Sequence, residues 1–280
     1  MTRIRVGSLT FDAATRGARG DPLVLMLHGF PQTSHTWRHQ LEPVARAGYY
    51  AVAPDQRGYS AGARPEGREH YATSLLVEDA LGMARELGYD RFHLVGHDWG
   101  GQLSWLLASS YPEAVTSLTV LSRPHPSAFA ASMHSDPDQA ERSKHHRAFL
   151  DPKTATLLLE NDAARLRRAL LDQGVDEVDA NAYLCVLQDK PALEGALNWY
   201  RAAGSRGSAL EDPSAGAVSV PTLYIWGDAD ATVGRAAAVG TADHVVGPYR
   251  FEILPGVGHF VTDQAGETVS ELLLDFLASV

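Results

Sequence analysis

With 280 residues, 45% of them hydrophobic and 21% charged, the chain holds enough apolar material for one large core with an inserted subdomain, and it is neither disordered nor fibrous. A formal net charge of −10 would repel a phosphate backbone, and the one compact basic run, Arg165, Arg167 and Arg168, reads as a solvated helix face, so no nucleic-acid partner is expected. No stretch reaches the roughly 20 apolar residues that span a bilayer, and the start, MTRIRVGSLTFDA, has no apolar leader core. The expectation is a cytoplasmic, soluble protein, monomer or homodimer. Its single cysteine, Cys185, can make neither an internal disulfide nor a thiolate metal site alone, and it reads as a small buried hydrophobe on a helix.

Short apolar runs ending in Gly, Asp or His alternate with helical patterns, the signature of a mostly parallel sheet covered by helices. In chain order the predicted strands are 23–28, 50–54, 92–97, 117–121, 222–226 and 250–254, and the helices between and after them are 34–47, 74–87, 99–111 and 264–277. The region 124–214 breaks this rhythm. PDQAERSKHHRAFL, ENDAARLRRALLDQG, VDANAYLCVLQDK and ALEGALNWYRAAG all read as helices with no β run among them, which predicts an all-helical lid. The Pro, Ser and Gly of EDPSAGAVSVP return the chain to the sheet. The predicted division is therefore a core of 1–123 and 215–280 carrying a helical cap at 124–214.

Within this frame, FHLVGHDWGGQLSW supplies a strand, a glycine-flanked turn and a helix around Asp98. Such a turn lifts one side chain above the sheet edge, where N–H groups of the helix start point into the same space. Asp is also a favoured helix cap, so this motif alone leaves both readings open. Two later stretches favour chemistry. YIWGDADATV runs a strand into a loop carrying Asp228 and Asp230, and EILPGVGHF ends the next strand at His259. Nucleophile, acid and histidine in that order match the hydrolase elbow arrangement. All three stand at the carboxyl ends of strands, where open α/β sheets build their sites. Upstream, His28-Gly29 turns the backbone so that the Phe30 N–H can join that of Trp99 in an oxyanion hole.

The motifs HGFP (28–31), VAPDQRGY (52–59), GHDWGG (96–101), NWYR (198–201), WGDAD (226–230) and GHF (258–260) together resemble the epoxide-hydrolase branch of the α/β-hydrolase superfamily, over nearly the whole chain. The resemblance implies an α/β-hydrolase fold, Asp98 as nucleophile and Asp230 rather than Asp228 as the acid behind His259. It also implies a cis Phe30-Pro31 bond and Tyr200 as a lid proton donor facing Asp98. It places His28, Pro31, Trp37 and Trp199 along the substrate pocket, although Trp37 and Trp105 also read as core. Relatives carry a second lid tyrosine where SKHHRAFLDP has none; by position His145 is the nearest match, with His146 beside it and Tyr183 as a rival. A histidine N–H can donate to an epoxide oxygen.

The chemistry so implied attacks saturated carbon. A carboxylate displaces the leaving group and leaves an ester whose carbonyl belongs to the enzyme, which a His-activated water then hydrolyses. That scheme needs an epoxide and water and no metal or cofactor. His35, His93, His125 and His134 show no metal-ligand spacing. Two other functions are compatible with the pattern: a haloalkane dehalogenase with the same aspartate, in which Trp199 would donate to the halide, and a non-catalytic small-molecule binder on the same fold.

Overall fold

A computed structural model describes residues 1–203 and 215–280, apart from the side chain of His145. The chain opens with a hairpin, β1 (Thr2–Val6) and β2 (Leu9–Arg16), followed by β3 (Leu23–Leu27), a 3-10 turn (Ser34–Trp37) leading into α1 (Arg38–Arg46), and β4 (Tyr50–Pro54). Next come α2 (Thr73–Leu87), β5 (Phe92–His97), α3 (Trp99–Ser110) and β6 (Val115–Leu121). The described chain then forms only helices until it returns to the sheet: α4 (Pro126–Ser135), α5 (Pro137–Arg142), α6 (His145–Phe149), α7 (Thr154–Leu171), α8 (Glu177–Leu187) and α9 (Lys190–Ala203). It ends with β7 (Thr222–Gly227), α10 (Arg235–Gly240), β8 (Tyr249–Leu254), α11 (Val261–Gln264) and α12 (Gly266–Leu277).

The sheet has 8 strands in the order β1-β2-β4-β3-β5-β6-β7-β8. Pairing is antiparallel at β1/β2 and β2/β4 and parallel from β4 onward. The parallel strands that the sequence predicts are present, and β3 through β7 are buried except at Thr116, as expected for strands covered on both faces. The opening hairpin was not predicted, although its signal exists. Ile4, Phe11 and Ala13 turn inward at period two, and Gly7 at φ 58° lets Val6 pair with Leu9 across a tight turn.

The helical segment after β6 differs from the prediction in its punctuation. The helix expected over 137–150 is split into α5 and α6, and α4 precedes it. Pro126 and Pro137 stand at the first helical turn, with the His125 and Asp136 side chains accepting from the N–H groups of Ser127 and Asp138. Proline with a capping side chain starts a helix and so ends whatever precedes it. In α7 the helix breaks at 160–163, where Asn161, Asp162 and Ala163 take positive φ. Cys185 is exposed rather than buried, because α8 turns Tyr183, Leu184 and Leu187 inward and leaves position 185 on its outer face.

Two apolar layers flank the sheet. One joins β3 and β7 residues such as Val24, Met26 and Ile225 to α1 and α12, and encloses Trp37. The other runs from the sheet through α2 and α3 into α9, uniting Leu103, Trp105 and Leu106 with Leu193, Leu197 and Trp199. The helical segment is thus packed on the sheet rather than tethered beside it. No helix of the described residues is long and apolar enough to cross a membrane.

Candidate active site

Because β3, β5, β7 and β8 run parallel, the residues that follow their carboxyl ends gather along one edge of the sheet. These are Phe30 after β3, Asp98 after β5, Asp230 after β7 and His259 after β8. Asp98 occupies a backbone conformation unusual for a non-glycine residue, φ 51° and ψ −116°, on the sharp turn from β5 into α3. That turn requires Gly100, since a Cβ there would lie 2.0 Å from the Leu27 carbonyl oxygen. It also requires Gly29, where a Cβ would lie 2.3 Å from Asp98 Oδ1. The Phe30-Pro31 bond is cis.

Asp98 does not cap α3 with its side chain. Its Oδ1 accepts from the Phe30 N–H at 3.0 Å, and its Oδ2 lies 3.5 Å from His259 Nε2. On the far side of the ring, His259 Nδ1 donates to Asp230 Oδ2 at 2.9 Å, and Asp230 Oδ1 accepts from the N–H groups of Thr232 and Val233 at 2.7 and 3.0 Å. Asp230 is therefore fully held and fixes the ring so that Nε2 faces Asp98. Asp228, the rival acid, is exposed and accepts from the Gly256 N–H at 2.7 Å.

The electrostatics follow from this packing. Burial alone would raise the Asp98 carboxyl, but the hydrogen bond and charge of His259, with smaller contributions from His97 and the Trp99 N–H, hold it well below the usual carboxylate range. Burial would lower His259, yet Asp230 and then Asp98 push it up to about 10. The resting pair is an imidazolium between two carboxylates.

Two residues that sequence reasoning passed over support the histidine. The His259 carbonyl accepts from Ser122 Oγ at 2.7 Å and from His97 Nε2 at 2.9 Å. Burial lowers His97 to about 4, with the charge of His259 acting in the same direction, so it stays neutral with its proton on Nε2. His97 carried a signal in being next to Asp98 within GHDWGG; Ser122, held at φ 62°, carried none.

Two cavities meet at this point, each lined by Asp98 and Tyr200. The larger, about 260 Å³, is bounded by Trp99, Gln102, Arg123, His146 and Arg147 among others. The smaller, about 110 Å³, is bounded mainly by Phe30, Pro31, Phe149, Leu158, Leu166 and Phe260, with His259 also in its lining. Tyr200, on α9, packs edge-on against Phe30 and Trp99 with ring centroids 5.8 and 5.0 Å away. Burial and then the Asp98 charge raise its hydroxyl well above the ordinary phenol range, so it remains a neutral donor.

Of the residues expected along the pocket, Pro31 lines the smaller cavity, whereas Trp37 is enclosed in the α1/α12 layer. His28 lies behind the wall, with its Nε2 accepting from the Gln56 N–H at 3.1 Å. Trp199 donates to the Arg57 carbonyl at 2.9 Å and packs against Tyr59. Tyr183 donates to Asp263 at 2.7 Å in a separate buried cluster. His146 lines the larger cavity with its ring 5.6 Å from that of Tyr200, while the side chain of His145 lies outside the described residues. Among the described residues no cluster of His, Cys, Asp and Glu suits a metal ion. His35, which has no carboxylate nearby in sequence, meets Asp179 at 2.7 Å.

A family model described as the alpha/beta hydrolase fold matches residues 22–265. The chain is 34% identical over 286 residues to epoxide hydrolase 3 of Xenopus tropicalis, covering 98% of this chain and 76% of that one. It is 30% identical to epoxide hydrolase A of Mycobacterium tuberculosis, covering 94% and 92%. A crystal structure of a Bacillus megaterium epoxide hydrolase in complex with an inhibitor superposes with a TM-score of 0.89 at 27% identity, covering 99% of this chain and 100% of that one. The chain belongs to the α/β-hydrolase fold family, among relatives named as epoxide hydrolases.

Proposed function

We propose that this protein opens an epoxide to a vicinal diol through an ester of Asp98, with residues 124–214 acting as a lid over the site. The observation that carries the reading is the placement of the Asp98 carboxylate. One oxygen already sits on the Phe30 N–H, where an ester carbonyl oxygen would need stabilising, while the side chain faces the two cavities and Tyr200. A carboxylate so aimed is free to attack, and a serine there would have no second oxygen to leave in the donor pair.

In the first half-reaction Asp98 Oδ2 bonds to a ring carbon, the C–O bond breaks, and the departing oxygen takes a proton from Tyr200. A neutral donor is required because an alkoxide left in a buried pocket is costly. In the second, His259 takes a proton from water as that water attacks Asp98 Cγ. The oxyanion rests on the Phe30 and Trp99 N–H groups, and as it collapses the leaving diol oxygen takes a proton from the His259 imidazolium; the Asp98 carboxyl so formed then gives its proton to His259, which restores the resting state. Esterification removes the Asp98 charge, one of the causes holding His259 up to about 10. The His259 proton then passes through solvent to the Tyr200 phenolate, which restores the phenol and leaves the imidazole neutral, able to act as the base. The Trp199 N–H is already donated to Arg57, which argues against halide binding by that tryptophan.

A single turnover in ¹⁸O-water with enzyme in excess tests the scheme. The label is expected in the Asp98 carboxylate by peptide mass, with unlabelled diol released; label in the diol and none in Asp98 would rule the ester out.

A further inference from the structure

Ester hydrolysis consumes one water per turnover, and that water must reach both His259 Nε2 and Asp98 Cγ while the alkyl group is still bonded to the enzyme. The two cavities share this space unequally. Both are lined by Asp98 and Tyr200, but only the smaller is also lined by His259. The larger one has the nucleophile in its wall and lacks the base.

The smaller cavity also extends outward. Its lining includes the exposed Ala169 and the half-buried Gln173 and Thr232, so it passes from residues in contact with solvent to the buried Asp98 and His259. Between these ends Leu158, Leu166 and Phe260 make it apolar. A water therefore finds hydrogen-bonding groups at entry and at arrival and few to detain it between. Gln264 ties the rim to the base: its Nε2 donates to the Gln173 carbonyl at 2.6 Å and its Oε1 accepts from the N–H of Gly258, next to His259, at 2.7 Å.

Size points the same way. The volume is about 110 Å³, enough for a short file of waters at roughly 30 Å³ each and less than the roughly 150 Å³ of an apolar cavity that takes up benzene. Resting on the epoxide reading above, we propose that the smaller cavity is the route by which hydrolytic water reaches the Asp98 ester, and that ring substituents as large as phenyl stay out of it. A substrate group lodged there would stand where the water must pass.

The test separates the two half-reactions with styrene oxide. Ala169 is exposed on α7, so Ala169→Trp places a large ring at the rim with little effect on the core. Leu158→Trp narrows the same cavity from its wall, in case the first indole turns outward. Ester formation in the first turnover, read by quenched-flow protein mass, should keep its rate, whereas ester hydrolysis should slow by about tenfold. The fraction of enzyme carrying the ester at steady state should rise accordingly. Slower ester formation with hydrolysis unchanged in both variants would put a substrate group in the smaller cavity, and no change in either rate in both would mean that water arrives elsewhere. Either result overturns the water route and spares the epoxide reading. No ester on His259→Gln and no diol from the wild type, with styrene oxide or propylene oxide, would overturn the epoxide reading and the water route with it.

Discussion

At the scale of single residues the site is organised around an ion pair whose members move each other's proton affinity in opposite directions. His259, raised from 6.5 to about 10, stabilises the fold fully below its unfolded value, and that contribution is lost as pH climbs from 6.5 to about 10. Asp98, held below 3.8, contributes above its unfolded value and loses that contribution as pH falls through the folded one. Both are intact between roughly pH 4 and 6.5. The melting temperatures of wild type and Asp98→Asn should therefore be furthest apart in that window and converge as pH rises toward 10, and a gap independent of pH would show that the pair is not charged. Replacing His259 by Gln should stall the second half-reaction, so that protein mass increases by the mass of the epoxide and stays increased. Recovery of unmodified protein within a normal turnover time would remove His259 as the base.

At the scale of elements, what matters is how turns and loops are held. The loop after β4 is tied to α2 by Arg57, which donates to Asp79 through Nε and Nη2 at 2.6 and 2.7 Å with both residues buried. The same loop accepts the Trp199 N–H from α9. Removing one partner of such a pair leaves a buried charge uncompensated, so Asp79→Ala should cost about 3–5 kcal/mol in urea unfolding, and a loss under about 1 kcal/mol would mean the arginine finds water. Gly29→Ala puts a methyl group where Asp98 Oδ1 now lies. It should abolish diol formation with far-ultraviolet circular dichroism unchanged; full activity would mean the turn has room that the contacts deny. The chain could not announce either constraint directly. HGFP and VAPDQRGY are legible as motifs, but the Asp79 partner of Arg57 lies 22 residues on, on a helix whose pattern looks merely amphipathic.

For the molecule as a whole, the apolar layer that begins under α2 and α3 continues into α9 without a boundary. The sheet layer and the helices α7 and α9 share buried side chains, and shared burial makes unfolding cooperative. Calorimetry should give one transition with equal calorimetric and van't Hoff enthalpies; two resolved transitions would mean that the helical segment is an independent unit. The sequence by itself determined the alternation of buried strands and helices, the point after β6 where strands give way to helices, and the placing of Asp98, of Asp228 and Asp230, and of His259 after strand ends, whereas the choice of Asp230 over Asp228 came from the resemblance to known hydrolases. Those features are local, set by short-range periodicity and by glycine at turns, and they can be read without knowing what packs against what. Only the tertiary structure decided which neighbours those residues have. It turned Cys185 outward, enclosed Trp37 in a core layer, diverted Tyr183 to Asp263, and brought His97 and Ser122 onto the His259 carbonyl. Each depends on contacts between segments far apart in the chain, and a side chain's partners across such distances are fixed by the packing of whole layers rather than by its own neighbourhood in sequence.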